Sequence, residues 1–180
     1  SIKEPGLNIL PPGVERYVIN GGGLTGIQIL PDDEIEIINN EGNQICEISI
    51  FNKDGKSDLA ILNLKESKDS SEIKKILFKK DETSLQALYQ LKKRNLDIEK
   101  SKAAIVFDKD CIAGETIKLK SKDKCYCIFA APGNAMLVHE QNPSTDLTVM
   151  VKRAEIKADK EFSIIPDPIY DTSGEIDIKR

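Results

Sequence analysis

The sequence predicts a mainly β fold, an antiparallel β-sandwich or barrel of two hairpin-based halves with a short helical insert between them. Three observations carry this. Glu34-Ile35-Glu36-Ile37 and Ile45-Cys46-Glu47-Ile48-Ser49-Ile50-Phe51 alternate polar and apolar residues on either side of the turn formers Asn39-Asn40-Glu41-Gly42-Asn43. The layout returns in Glu115-Thr116-Ile117-Lys118-Leu119, a turn at 120–124, and a buried-looking strand from Cys125 to Ala130. Between the two, apolar residues shift to helical spacing.

Residues 1–13 hold Pro5, Gly6, Pro11, Pro12 and Gly13 and read as an extended N-terminal arm. A β-rich domain is expected from 14 to 165. Val14 to Ile19 is its first strand, rich in β-favouring residues. Gly21-Gly22-Gly23 then turns the chain into a second strand, Gly26 to Leu30, which Pro31-Asp32 stops. The alternating pair follows and is read as a β-hairpin, closed by Asn52-Lys53-Asp54-Gly55. Lys65 to Ser71 is polar loop. The helical insert covers about 70–95. Ile73, Ile76 and Leu77 mark a short helix over 71–80 with Ser70 or Ser71 as cap, and Leu85, Leu88 and Tyr89 mark a second from Thr83 to Arg94. Lys92, Lys93 and Arg94 suit the negative end of that helix, and Asn95 suits its C-terminal cap. Strands resume at Ala103 to Phe107 and recur at Leu147 to Val151, with a short one expected at Glu161 to Ile165. Pro166-Asp167-Pro168 reads as a stiff linker, and 166–180 as the start of a further segment containing the strand-like Gly174 to Ile178.

Composition bounds the function. The chain has 180 residues, 39% hydrophobic and 31% charged, enough to build a core without covalent staples. Its 26 basic and 30 acidic residues are interspersed, for a net charge of -4, and it has no Trp. That argues against nucleic-acid binding, which wants a basic face and stacking platforms. No apolar run reaches the ~18 residues of a membrane span, and residues 1–12 lack the basic start and apolar stretch of a signal peptide. Cys46, Cys111, Cys125 and Cys127 are read as reduced thiols, which places the chain in the cytoplasm.

Several motifs invite chemistry. Gly21-Gly22-Gly23-Leu24-Thr25-Gly26 fits the dinucleotide fingerprint, but strand-like Ile27 to Leu30 follows where a helix is required. Gly55-Lys56-Ser57 lacks the earlier glycine of a phosphate loop, since Ile50 stands there. His139-Glu140 starts a zinc-protease motif that Pro143 breaks. Cys125 and Cys127 share one face of a strand and, with Cys46 or Cys111 and His139, are candidate zinc ligands. Core packing is the better reading, because the spacing is shorter than that of structural zinc sites and free Cys is among the most buried residue types. His139, the one histidine, is also the one candidate base for a Cys–His pair. It sits in a long loop rich in Pro, Gly, Asn and Asp, where Pro132, Gly133, Asn134, His139 and Asp146 form a candidate binding loop. The acidic run Asp32, Asp33, Glu34 and Glu36 reads as a solvated strand edge.

Pro31 to Ile37, then Glu41-Gly42-Asn43-Gln44 through Ile48, then Phe51-Asn52, resemble the hallmark of the urea carboxylase-associated domain family. Gly42, Gln44, Phe51 and Asn52 match that pattern, while Asp32 stands where Gly is usual and Glu47 where Asp is usual. Ala113-Gly114-Glu115 through Ala131-Pro132-Gly133 resembles the family's second half, so the likeness spans roughly 14–153. Some such domains precede a folate-dependent aminomethyltransferase resembling the glycine-cleavage T-protein, and the linker at 166–168 would suit that arrangement.

The resemblance thus implies a non-catalytic accessory or small-metabolite-binding domain. It would hold no cofactor of its own, with folate in a downstream domain. Its partners would be that domain and a small amine or urea-like ligand. Two alternatives stand beside it. One is an autonomous metal- or thiol-dependent C–N hydrolase acting on urea- or guanidine-like compounds, using Cys125, Cys127 or Cys111 with His139. The other is a structural module that forms homo-oligomers.

Overall fold

In the computed structural model, residues 10–68, 71–133 and 144–155 are described. Within them run eight strands: β1 (Val14–Ile19), β2 (Leu24–Ile29), β3 (Glu34–Asn39), β4 (Cys46–Phe51), β5 (Ala103–Val106), β6 (Glu115–Lys120), β7 (Cys125–Ala130) and β8 (Leu147–Lys152). They form two antiparallel four-stranded sheets, ordered β1-β8-β3-β6 and β2-β7-β4-β5. Every step along the chain crosses from one sheet to the other except that from β4 to β5, which are neighbours. That order is a double-sheet jelly roll. The β4–β5 connection carries a 3-10 turn at Leu59–Leu62 and the helices α1 (Glu72–Leu77) and α2 (Glu82–Lys93).

The alternation read from sequence fixes which face is inward. Ile35 and Ile37 of β3 are buried and form inward rows with Val151 and Val149 of β8 and with Leu119 and Ile117 of β6. Facing them from the other sheet are Ile27, Ile29, Ile48, Ile50 and Phe129. Each fully buried aliphatic or aromatic side chain of this kind contributes about 1.5–3 kcal/mol. A second core lies outside the β2-β7-β4-β5 sheet, where Ile73, Leu77, Ala87 and Leu91 of the helices cover Leu24, Phe51, Tyr126 and Ile128. This explains why β4 and β7 are buried along their whole length.

Pairing differs from expectation in one systematic way. The segments read as a hairpin, β3 and β4, are not partners: β3 pairs with β6 and β8, and β4 with β5 and β7. Likewise Gly21-Gly22-Gly23 is a corner between sheets, not a hairpin turn, since β1 and β2 lie in different sheets. Alternation encodes the buried face and says nothing of the neighbour. The connections β3–β4 and β6–β7 both arch across the sandwich, as every connection but β4–β5 does.

Two further expectations change. The acidic run is no strand edge: β3 is interior to its sheet, and Asp33 is buried. Helix α2 buries Ser84, Ala87 and Leu91, with Leu88 partly covered, while Leu85 and Tyr89 are 52% and 65% exposed. The apolar spacing of Leu85 and Tyr89 therefore marks the outward face.

Caps follow the sequence in part. Asp81 accepts the Ser84 N–H at 2.7 Å and starts α2, and Asn95, left-handed at φ 60°, follows its end. Ser71 precedes α1 but makes no side-chain cap. Glu47 of β4 supplies it instead, accepting the N–H groups of Glu72 (3.1 Å) and Ile73 (2.5 Å). Most of the N-terminal arm, the strands expected at 161–165 and 174–178, and the linker at 166–168 lie outside the described residues.

Candidate functional site

One end of the sandwich gathers the β1–β2 corner, the β3–β4 turn, the segment before β6 and both stems of the long β7–β8 connection. Gln44 organises it. Fully buried, it donates from Nε2 to the Pro132 carbonyl at 2.8 Å and accepts the Thr145 N–H on Oε1 at 2.9 Å. One side chain thus ties together the two stems of the candidate binding loop. Asp146 fastens the second stem to the β1–β2 corner, its Oδ1 accepting the Gly21 N–H at 2.9 Å. The approach is close: a Cβ on Gly21 would lie 2.6 Å from the Ser144 carbonyl oxygen, so only glycine fits.

Beneath these stems is a polar cluster. Asn39, buried at the end of β3, donates from Nδ2 to the Gln44 carbonyl at 2.6 Å and to Cys111 Sγ at 2.8 Å. Asn40 and Thr148 are hydrogen-bonded side chain to side chain. Of the five loop candidates, Pro132 is buried and held by Gln44, Gly133 and Asp146 are exposed, and Asn134 and His139 lie outside the described residues.

The cysteines divide between the two ends. Cys125 and Cys127 point into the sandwich with their sulfurs 3.6 Å apart. The Cys127 hydrogen bond holds the Cys125 thiol below its usual range despite burial, whereas burial pushes the Cys127 thiol well up. Burial raises Cys46 as well. Cys127 pairs with Ile50 near the far end of β4, whereas Cys111 bonds the Gln44 carbonyl before that strand begins. The fold therefore keeps Cys111 away from the Cys125–Cys127 pair. Among the described residues, no three His, Cys, Asp or Glu side chains converge as a metal site. All four thiols are free.

The opposite end is locked by charge. Arg153, just after β8, binds Glu15 (Nε to Oε2, 2.5 Å) and Asp33 (Nη1 to Oδ2, 2.7 Å) and donates to the Gln28 carbonyl. Tyr17 donates to Glu15, and burial followed by that bond raises its hydroxyl pKa. Sequence reasoning missed this network. Its one signal was an acidic residue, Asp33, immediately after a strand-stopping Pro-Asp.

Fold and site define a jelly-roll domain with a braced loop at one end and a buried ionic lock at the other. No protein-family model matches the chain. Over 177 residues, 98% of its length, it is 33% identical to the trimethylamine-oxide aldolase of Ruegeria pomeroyi, and it spans 22% of that protein. The likeness therefore covers the whole jelly roll, against one segment of a much larger enzyme. Among the described residues no helix is long and apolar enough to cross a membrane.

Proposed function

We propose that this chain is the jelly-roll domain of a larger enzyme of the trimethylamine-oxide aldolase kind, serving there as a non-catalytic accessory module that binds a small amine-type metabolite. The observation that carries this is the 33% identity running through 98% of the chain. An alignment that long takes in all eight strands, both helices and the braced loop. The resemblance to urea carboxylase-associated domains supports the same placement, beside a domain that does the chemistry.

The ligand class follows from the relative's name and from the loop end. An amine oxide has a cationic nitrogen and an oxygen that only accepts hydrogen bonds. Exposed Asp146, fixed to the Gly21 N–H through one carboxylate oxygen, suits the cation. Titration of the isotope-labelled chain with trimethylamine oxide, trimethylamine and urea tests this by amide chemical shifts. Saturable shifts at Gly21, Gly133 and Thr145 are expected, with no turnover of trimethylamine oxide by the chain alone. No shift with any of the three would overturn the binding reading. Turnover would overturn the non-catalytic one.

One observation favours a second reading, thiol- or metal-dependent C–N chemistry: the 3.6 Å approach of Cys125 and Cys127 inside the sandwich. Metal analysis with thiol titration on the same sample decides it. Stoichiometric zinc with protected thiols would put this reading first.

A further inference from the structure

Helix α2 turns a surface outward that nothing among the described residues covers. At i, i+4, i+7 and i+11, Glu82, Gln86, Tyr89 and Lys93 fall on one side of the helix. Leu85 flanks them on one edge and Gln90 on the other. Leu85 and Tyr89 are 52% and 65% exposed, and they are two of the four large hydrophobic side chains exposed among the described residues. Tyrosine is among the residues most enriched at interface centres. The residues around them hold little charge at the middle and opposite charges at the ends.

That arrangement is self-complementary. Two copies of α2 laid antiparallel about a two-fold axis, crossing between Gln86 and Tyr89, place Glu82 of each copy beside Lys93 of the other. The same operation brings each edge of the face against its own counterpart, so that Leu85 lies beside Tyr89 and Leu85 of the other copy, and Gln86 and Gln90 line the opposite edge. A two-fold contact needs this property, since each residue must suit its counterpart in the reverse direction. We propose that the outward face of α2 is a homodimer contact, with Tyr89 near its centre, Leu85 beside it, and a pair of Glu82–Lys93 bridges at its ends. One helical face is small beside the roughly 1,200–2,000 Å² of a standard interface, so the dimer is weak and concentration-dependent.

Sedimentation equilibrium on the 180-residue chain tests the contact. A monomer–dimer equilibrium is expected for the native chain. Glu82→Lys and Lys93→Glu each set like charges together at both rim positions and should raise the dissociation constant about tenfold or more. Mixed in equal amounts, the two variants should dimerise again, because every rim contact then joins opposite charges. Tyr89→Ser should weaken dimers in all backgrounds, with far-UV circular dichroism unchanged. A native chain that stays monomeric to several hundred micromolar would overturn the proposal, and would leave this face to an adjoining domain. So would single variants that dimerise as well as the native chain, or a mixture that does not recover.

Discussion

Arg153 and Asp33 meet at 2.7 Å with side chains 10% and 2% exposed, joining the exit of β8 to the entry of β3. Asp33 is fully engaged there, accepting also the N–H groups of Leu30 and Ala154, each at 2.9 Å. Removing one partner leaves a buried charge uncompensated, at a typical cost of about 3–5 kcal/mol. Arg153→Met is expected to lose stability in that range, measured by urea unfolding. A loss under about 1 kcal/mol would mean that the pair behaves like a surface ion pair.

Gln44 should matter more to the loop stems than to the core. Gln44→Leu preserves bulk but leaves the Pro132 carbonyl and Thr145 N–H without their partner, at about 1–3 kcal/mol. Amide exchange at Thr145 is expected to accelerate while that of Ile37 and Ile50 stays slow. Unchanged protection at Thr145 would remove Gln44 from its bracing role.

Glu47 makes stability depend on pH in an unusual direction. Burial raises its pKa, opposed by the N–H groups of Ile73 and Glu72, so the raised value is the net of the two. The folded chain then holds a proton that the unfolded chain has already released. Stability contributed by that proton is present below the ordinary glutamate range and is lost as pH rises through the raised folded value. Unfolding measured across this window should show a downward slope with rising pH that is shallower in Glu47→Gln. Equal slopes would assign the pH dependence elsewhere.

Cys125 should react ahead of Cys46 and Cys127. Its hydrogen bond from Cys127 favours the thiolate, whereas burial disfavours it in Cys46 and Cys127. Slow alkylation of the folded chain, read by peptide mass spectrometry, should label Cys125 ahead of those two. Cys125→Ser should abolish that early phase. Labelling of Cys46 or Cys127 first would contradict the assigned direction.

How much of this was legible beforehand depends on the range of each interaction. The alternation of Ile35 and Ile37, or the capping Asp81, is local, and position in sequence is enough to read it. The pairing of β3 with β8 joins residues more than a hundred positions apart, and no local pattern records it. Glu47 illustrates the limit. In an alternating strand it reads as an outward, solvated residue, which is correct as to face. That face is covered by α1, so the same residue becomes a buried cap. Leu85 and Tyr89 fail for the opposite reason: Ala87 and Ser84 take the buried positions of the helix, and small residues give no hydrophobic signal. At the candidate site, loop composition points to Pro132 and Asp146. Gln44 stands out in the sequence only through the family resemblance, since nothing in its neighbours announces a side chain that reaches both stems.

The position of β1 bears on how the chain is made. Among the described strands its one partner is β8, with Val14 opposite Lys152 and Ile19 opposite Leu147. Among the described strands, β1 must therefore wait for the last of the eight. At about 5–20 residues per second that delay is several seconds to tens of seconds. Throughout it, Tyr17 and Ile19 have no sheet to join. Synthesis of this domain thus includes a period in which one sheet lacks both an edge and an inner strand.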